Sequence, residues 1–144
     1  MKASLHKGES FTDNRGTLEF VNEQNPGHYR RFYLVNHADT KVIRAWQGHM
    51  LEEKGFYVIK GSFMIAVLHP ENFEQPSDDE KPEFFRLDVS GNLFLRVPGG
   101  NYTGIKALVP DSALLVLSGM DFAASKKDDY RQPAHRWVDW DSIL

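Results

Sequence analysis

Nine short β-rich segments, separated by turn residues, recur along the chain and constrain its fold more than any other feature. They are TLEFV (17–21), YRRFYLVN (29–36), KVIRAW (41–46), GFYVI (55–59), SFMIAVL (62–68), EFFRLD (83–88), LFLRV (93–97), IKALV (105–109) and ALLVLS (113–118). Strands at this spacing are typical of a sandwich or small barrel, whereas βαβ units alternate strands with long helices. The pattern predicts an all-β fold.

The segment SFMIAVL is apolar on both of its strand faces. A strand of this kind is covered on both sides, as when two sheets stack or a second subunit packs on it. Lys60-Gly61, just before it, predicts a tight hairpin turn, because Gly readily adopts the positive φ of two-residue turns.

Two segments interrupt the strand pattern. Residues 70–82, PENFEQPSDDEKP, contain three prolines among polar and acidic residues and predict an exposed loop. DFAASKKDDYR (121–131) predicts one or two turns of helix. With 144 residues, the chain is expected to form a single domain over residues 1–144.

Charge and hydropathy exclude several partners. The net charge is -3, from 17 basic and 20 acidic residues that are dispersed along the chain, which argues against a nucleic-acid surface. No apolar run approaches the roughly 18 residues of a membrane span, so no membrane partner is expected. The chain has no Cys, which removes thiolate chemistry and Cys-ligated zinc. The cytoplasm is the expected location.

The stretch RAWQGHMLEEK (44–54) gathers an acid/base group, an anion and a cation. Strict strand alternation places Gln47 and His49 on one face, and Arg44 on the other. Inside a barrel, the first two side chains would point into a cavity. The alternative is that His49 is a hydrogen-bonded structural histidine and that Glu53 and Lys54 are solvated surface charges.

Two further stretches carry polar residues after turns. In VPGGNYTGIKAL the Pro-Gly-Gly turn leads into a strand that can deliver Asn101, Tyr102 and Thr103 to the same cavity, although a plain loop is the alternative. In TDNRGTLEF, Arg15 presents a fork of donors suited to phosphate, but a surface pair with Asp13 explains it equally well.

Together, RRFYLVN, RAWQGHMLEEKGFYVIKGS and VPGGNYTGI resemble the cupin superfamily, and within it the nucleotide-sugar isomerases and epimerases. The pattern R-x-Y-Y-I, then R-G-F-H-x-H-x-x-x-E, then G-S, is that of dTDP-4-keto-6-deoxyglucose 3,4-ketoisomerases. The positions that match it are Arg31, Tyr33, Arg44, His49, Glu53 and Gly61. The resemblance implies a cupin, or jelly-roll-like, β-barrel or sandwich with little helix.

The segment DNRG resembles the D-x-R-G of dTDP-4-dehydrorhamnose 3,5-epimerases, whose arginine helps to bind the nucleotide diphosphate. VPGGNYTGI resembles their P-x-G-x-x-H-G-F, and Lys54 matches a lysine near their substrate. The resemblance also implies a homodimer, because the N-terminal strand of such cupins is often supplied by a partner subunit.

The chain departs from these families at the positions that carry their chemistry. Cupin metal sites combine H-x-H, a glutamate and a later histidine, where this chain has Gln47, His49, Glu53 and Thr103. Two imidazoles are missing, so no metal and no other cofactor is expected. Gln47 also replaces the base of the epimerases, and Val116 takes the place of their acidic tyrosine.

A mechanism compatible with these substitutions starts by removing a proton from a carbon next to a carbonyl. His49 is the expected base, since a neutral imidazole with a pKa near roughly 6.5 suits this step. Gln47 is a candidate donor to the enolate oxygen, and Tyr102 a candidate for returning the proton. The expected substrate-binding residues are Arg15, Arg31, Tyr33, Arg44, Glu53, Lys54, Tyr57, Asn101 and Thr103.

The sequence thus predicts a metal-independent isomerase or epimerase that acts on a nucleotide-linked keto-deoxysugar, with dTDP as the expected nucleotide, in surface polysaccharide synthesis. A non-catalytic cupin that binds a nucleotide sugar is the alternative, because the same substitutions would accompany loss of activity. A structural dimer without a ligand is the third hypothesis.

Overall fold

The computed structural model describes residues 1–22 and 28–143 and shows two antiparallel five-stranded sheets and a separate hairpin. One sheet has the order β1-β9-β6-β11-β4 and the other the order β12-β5-β10-β7-β8, while β2 pairs with β3. The strands are β1 (Ser4–Lys7), β2 (Glu9–Asp13), β3 (Gly16–Phe20), β4 (Arg31–His37), β5 (Ile43–His49), β6 (Lys54–Lys60), β7 (Ser62–Leu68), β8 (Glu83–Asp88), β9 (Leu93–Val97), β10 (Asn101–Ala107), β11 (Ser112–Ser118) and β12 (Tyr130–Arg131).

The inner faces of the two sheets enclose the main core. Inward-facing side chains alternate along the strands with outward ones, as the period of two requires. The buried members include Val35, Phe56, Val58, Phe63, Ile65, Val67, Leu87, Leu95, Leu114 and Val116. The all-β cupin fold predicted from the sequence is confirmed by this architecture.

A second apolar cluster covers the outer face of the β12–β8 sheet. Here Ala66 and Leu68 of β7 pack with Trp46, Tyr102 and Trp140. The prediction that β7 is covered on both faces is therefore confirmed. The outer cover is the chain's own C-terminal segment and the loop that contains Phe73, and neither a second sheet nor a partner subunit is needed.

Glycines permit two close approaches in this framework. Gly61 has a φ of 76° and joins β6 to β7 in a tight turn. These two strands lie in different sheets and do not pair with each other, so the predicted hairpin at Lys60-Gly61 is wrong and the turn carries the chain from one sheet to the other. Gly104 lies against the ring of Trp140, where a Cβ would come within 2.5 Å of Cζ2. Any side chain at position 104 would displace the Trp140 ring.

The irregular segments follow the sequence pattern. Residues 70–82 contain no strand or helix, as predicted. The α-helix α1 spans Phe122–Lys127, and the Asp121 side chain caps it by accepting from the N–H of Ala124 at 2.8 Å. Short 3₁₀ turns occur at Val89–Gly91 and Trp140–Ser142. Within the described residues, no helix is long and apolar enough to cross a membrane.

Candidate functional site

A cavity of about 410 Å³ opens between the two sheets. Strands from both sheets contribute to it, so its wall combines apolar core residues with polar side chains. It is lined by Tyr33, Val35, Ile43, Arg44, Ala45, Gln47, Lys54, Phe56, Thr103, Ile105, Val116 and Arg131. Five of the expected site residues therefore share this cavity: Tyr33, Arg44, Gln47, Lys54 and Thr103.

The cavity wall is cationic. Arg44, Lys54 and Arg131 contribute positive charge, and no acidic residue occurs among the described residues that line it. A concave site with one sign of charge concentrates ligands of the opposite sign. The wall is suited to an anionic ligand.

Arg44 lies in the cavity because β5 contains a bulge. Gln47 pairs with Thr103 and Arg44 with Ile105, so Ala45 and Trp46 together oppose a single residue of β10. Strict alternation predicted Arg44 and Gln47 on opposite faces, and the bulge makes that prediction wrong. It turns Trp46 into the outer apolar cluster and leaves both polar side chains on the cavity wall.

His37 fixes the direction of the Arg44 side chain. The guanidinium Nε of Arg44 donates to Nε2 of His37 at 3.0 Å. Since this ring nitrogen accepts, the imidazole is neutral and carries its proton on Nδ1. Burial, and then the charge of Arg44, lower the pKa of His37 and keep it in that form.

A hydrogen bond joins Lys54 and Gln47, which both line the cavity. The Lys54 ammonium donates to Oε1 of Gln47 at 3.0 Å, and Nε2 of Gln47 donates to Asp129 at 3.4 Å. Lysine can only donate and a carboxylate can only accept, so both contacts assign the same orientation to the amide. The amide oxygen faces the lysine and the NH₂ group is directed away from it.

Below this hydrogen bond lies a buried group of charged residues around Glu52. The Glu52 side chain is 0% exposed, and its oxygens lie 3.6 Å from Nζ of Lys54, 3.8 Å from Arg31 and 3.5 Å from Nε2 of His49. Among the described residues, none donates a hydrogen bond to either oxygen of Glu52. Nε2 of His49 likewise has no hydrogen-bond partner among them. Buried polar atoms without partners are rare in folded proteins and frequently mark functional sites.

His49 occupies the end of β5 beside Glu52 and is itself buried. Its Nδ1 lies 2.6 Å from the carbonyl oxygen of Asp128. A carbonyl only accepts, so Nδ1 carries a proton and Nε2 is the basic nitrogen of the neutral ring. Burial, followed by the charge of Lys54, lowers the pKa of His49, while Glu52 and Asp128 act in the opposite direction.

Arg31 and Tyr33 border the same group from β4. The Arg31 guanidinium lies over the Tyr33 ring at 5.2 Å and donates to the carbonyl oxygen of Met120 at 3.2 Å. Tyr33 lines the cavity, whereas Arg31 reaches it only through Tyr33 and Glu52. Both residues thus lie where the sequence placed them, beside the predicted site.

Arg131 is a cavity residue that the sequence analysis did not identify. The short strand β12 pairs with β5, so that Arg131 lies opposite Gln47. Asp129 orients the guanidinium, accepting from its Nε at 2.8 Å. This pairing joins positions more than eighty residues apart, and the segment DDYR had been assigned to a predicted helix.

Tyr102 and Asn101 lie away from the cavity, contrary to expectation. The Tyr102 hydroxyl donates to the carbonyl oxygen of Phe73 at 3.0 Å within the outer apolar cluster, because alternation on β10 turns it away from Thr103. Asn101 donates to the carbonyl oxygens of Pro98 and Met1, which ties down the turn before β10. Both contacts are structural.

Glu53 and Tyr57 also point away from the cavity. Glu53 accepts from Arg96 at 2.7 Å and from the hydroxyl of Tyr29 at 3.1 Å. Tyr57 donates to Asn92 at 2.6 Å on the outer face of its sheet. The glutamate beside His49 is thus the preceding residue, Glu52.

Arg15 lies at the turn of the hairpin formed by β2 and β3. Its guanidinium pairs with Asp13 and is 79% exposed. The shallow pocket that it lines is bordered only by residues of the same hairpin, among those that the structure describes. Within this chain, Arg15 does not reach the cavity between the sheets.

The donor set does not resemble a metal centre. In the described part of the chain, no group of three or more His, Cys, Asp or Glu side chains is arranged to hold a metal ion. The carboxylate beside His49, that of Glu52, is already flanked by Lys54 and Arg31, and these two cations would repel a metal ion bound there.

Comparisons with known proteins identify the fold. A 3,4-ketoisomerase from Helicobacter canadensis is similar over 92% of each chain, with a TM-score of 0.74 and 18% identity. A 3,4-ketoisomerase from Thermoanaerobacterium thermosaccharolyticum, solved as a mutant with TDP-4-keto-6-deoxyglucose, is similar over 91% of this chain and 88% of its own, with a TM-score of 0.72 and 17% identity.

The rhamnose-type epimerases have the same fold. The dTDP-4-dehydrorhamnose 3,5-epimerase from Elizabethkingia anophelis is similar over 99% of this chain and 82% of its own, with a TM-score of 0.78 and 15% identity. No family model and no curated protein matches the sequence. The chain thus has the cupin fold shared by dTDP-sugar isomerases and epimerases, as the sequence motifs indicated.

Proposed function

We propose that the protein is a metal-independent isomerase or epimerase of a dTDP-linked 4-keto-6-deoxyhexose and that it acts through an enolate or enediol. The observation that carries the proposal is a cationic cavity together with the buried imidazole of His49, whose neighbour Glu52 also lies beside the cavity residue Lys54. The fold, which is shared with enzymes of dTDP-sugars, supports it.

The cavity charges fit a nucleoside diphosphate. Arg44, Lys54 and Arg131 project from three different strands into one space, so they can contact several phosphate oxygens together. Three of the similar structures were solved with TDP bound. We assign these three residues to the diphosphate and to the adjoining sugar.

His49 is the proposed base. Asp128 holds the tautomer in which Nε2 has the free lone pair, and the lowered pKa keeps the ring neutral at pH 7. Gln47 and Lys54 are among the described residues that line the cavity and His49 is not, but Lys54 lies 3.6 Å from Glu52, the neighbour of Nε2. Catalytic hydrogen bonds often become short only when the substrate is bound. Binding is therefore proposed to separate Lys54 from Gln47 and to bring the sugar carbon to Nε2.

Gln47 and Lys54 are the proposed donors to the enolate oxygen. When His49 removes the proton, the electron pair of the C–H bond moves into the enolate and negative charge develops on the former carbonyl oxygen. The ammonium and the amide NH₂ are held at the cavity wall before the reaction, and a preorganised donor of this kind contributes roughly a hundredfold to the rate. Tyr33 is the cavity hydroxyl proposed to exchange protons with the sugar oxygens.

A homodimer is part of the proposal. The outer face of the β1–β4 sheet exposes Phe32, Leu34 and Ile59, and the hairpin exposes Phe11 and Leu18. Apolar side chains that are this exposed in neighbouring positions indicate a protein interface. A second copy that covers them would also bring a hairpin with its Arg15 close to the other subunit.

The proposed setting is surface polysaccharide synthesis in the cytoplasm.

A non-catalytic nucleotide-sugar-binding protein is the second candidate. Val116 lines the cavity at the position that, by the resemblance, holds the proton-donating tyrosine of the epimerases. The valine side chain has no proton to donate. Such a protein would use Arg44 and Arg131 to bind the nucleotide and would leave the sugar unchanged.

Solvent deuterium distinguishes the two candidates. The protein is incubated with dTDP-4-keto-6-deoxyglucose in D₂O, and mass spectrometry and NMR follow the carbons beside the ketone. Enzyme-dependent incorporation supports the isomerase or epimerase and identifies the carbon. Binding of dTDP by calorimetry without incorporation would favour the binding protein, and absence of both would contradict the nucleotide-sugar assignment.

A further inference from the structure

The buried Glu52 carboxylate has no function in the mechanism described so far. It is 0% exposed, and no described residue donates a hydrogen bond to either of its oxygens. Removing a carboxylate from water is costly unless donors or cations compensate for it. Its presence beside the cavity residue Lys54 therefore needs a physical reason.

Hydrogen bonds to the backbone fix the position of the loop that carries this carboxylate. The Asp128 side chain accepts hydrogen bonds from the backbone N–H groups of Met50, Leu51 and Glu52 at 2.9, 2.9 and 2.8 Å. This clamp fixes the loop between β5 and β6. The next residue, Glu53, consequently points to the opposite side and pairs with Arg96.

Asp128 also connects the loop to His49. Its backbone carbonyl accepts from Nδ1 of His49, while its carboxylate holds the loop that carries Glu52. One residue therefore sets the relative position of the imidazole and the carboxylate. The distance from Nε2 of His49 to Oε2 of Glu52 is 3.5 Å.

The charges around His49 change during proton abstraction. In the resting protein, Lys54 and Arg31 compensate for the charge of Glu52. When the C–H bond of the sugar breaks, its proton forms a bond with Nε2 and its electron pair stays on the sugar as the enolate. The ring then becomes a buried cation, which Lys54 repels and which only a nearby anion can stabilise.

We propose that Glu52 is a positioning residue of this reaction, which stabilises the imidazolium form of His49 and holds Lys54 beside Gln47. The proposal rests on the proposed function and deepens it. Glu52 neither gains nor loses a proton in the step. It makes His49 a stronger base by lowering the free energy of the protonated ring.

The other charged groups near His49 do not replace Glu52. Lys54 disfavours the protonated ring, whereas Asp128 and Glu52 favour it. Asp128 uses its carboxylate oxygens on three backbone N–H groups, and Asp129 is engaged by Arg131. Glu52 is thus the described anion whose oxygens remain available to the charge that forms on Nε2.

The pKa of His49 tests the proposal without any substrate. It is measured by NMR with ¹⁵N-labelled histidine in the wild type, in E52Q and in E52D. We expect E52Q to lower this pKa by about one unit or more, because a neutral amide gives no charge compensation. E52D keeps the charge at a longer distance, so a smaller decrease is expected. E53Q makes the same change in the adjacent residue and is expected to leave the pKa of His49 unchanged.

The exchange reaction gives a second measurement. In E52Q, the pH profile of deuterium incorporation is expected to shift to lower pH, and its plateau is expected to fall by about tenfold or more. E52D should recover part of that loss. A purely structural role for Glu52 would lower the amount of folded protein but would not move the profile.

Equal His49 pKa values in the wild type and E52Q would overturn the proposal. If E52Q does not fold, the test uses E52D. A pKa of His49 in E52D equal to or above that in the wild type would contradict the proposal. Absence of exchange in the wild type would instead refute the proposed function, while the NMR titration would still decide the relation between Glu52 and His49.

Discussion

The two faces of the β12–β8 sheet differ in whether their buried polar atoms have hydrogen-bond partners. On the outer face, the Tyr102 hydroxyl and the indole N–H groups of Trp46 and Trp140 each donate to a backbone carbonyl. On the cavity side, beside Lys54, the side chains of His49 and Glu52 keep buried polar atoms without partners among the described residues. Polar groups that stabilise a fold are satisfied, whereas those left unsatisfied are available for a ligand or a reaction.

Replacing a residue of the outer cluster should affect stability and leave the chemistry intact. Trp140 is fully buried, and W140A should lower the free energy of unfolding by about 3–5 kcal/mol, because a large cavity remains. Urea denaturation measures this loss. The exchange rate per folded molecule should match that of the wild type, and a parallel loss of exchange would break the distinction between the two faces.

Y102F makes a smaller change on the same face. It removes the donor to the carbonyl oxygen of Phe73, which remains buried, and should cost about 1–2 kcal/mol in the free energy of unfolding. The midpoint of urea unfolding measures it. A stability equal to that of the wild type would show that the hydroxyl is not structural.

On the cavity side, R131A should weaken ligand binding with little effect on stability. The guanidinium is 66% exposed, so we expect an increase of about fivefold in the Kd for dTDP, close to 1 kcal/mol. Calorimetry at two salt concentrations measures it. R86A, which removes another exposed arginine paired with an aspartate, is the matched control. Equal losses in both variants would remove Arg131 from the site.

The smallest effect concerns pH. Burial lowers the pKa of both His37 and His49 in the folded protein, so below about pH 6.5 the unfolded chain binds more protons than the folded one. The free energy of unfolding should therefore decrease from about pH 7.5 to pH 5.5. H37Q should reduce this slope in urea titrations. A slope that is unchanged would show that His37 does not contribute to it.

The strands were predictable because their apolar residues alternate or run continuously. All nine predicted segments became strands, with boundaries that moved by a few residues. Strands β1, β2 and β12 were not predicted, since SLHK, ESFTD and YR carry too few apolar residues to show a period. Their strand form comes from pairing with β9, β3 and β5, respectively.

The site was predictable only in part. Gln47, Lys54 and Thr103 lie on the cavity wall, since they follow the inward face of their strands, whereas His49, predicted on the same face as Gln47, is not among the described lining residues. The position of Arg44 in the cavity depends on the bulge in β5, and that of Arg131 depends on the pairing of β12 with β5. The loop held by the Asp128 carboxylate decides that Glu52, and not Glu53, lies beside His49. Each of these features arises from contacts between distant parts of the chain, which strand periodicity does not encode.

The most direct measurement of the central claim compares H49Q with Y102F in the D₂O exchange assay. H49Q removes the buried imidazole beside Glu52, and Y102F removes the buried hydroxyl of Tyr102 in the outer cluster. We predict that H49Q lowers deuterium incorporation by about a hundredfold or more, while Y102F stays within about twofold of the wild type. Incorporation that survives in H49Q, or that falls equally in both variants, would contradict the assignment of His49 as the base.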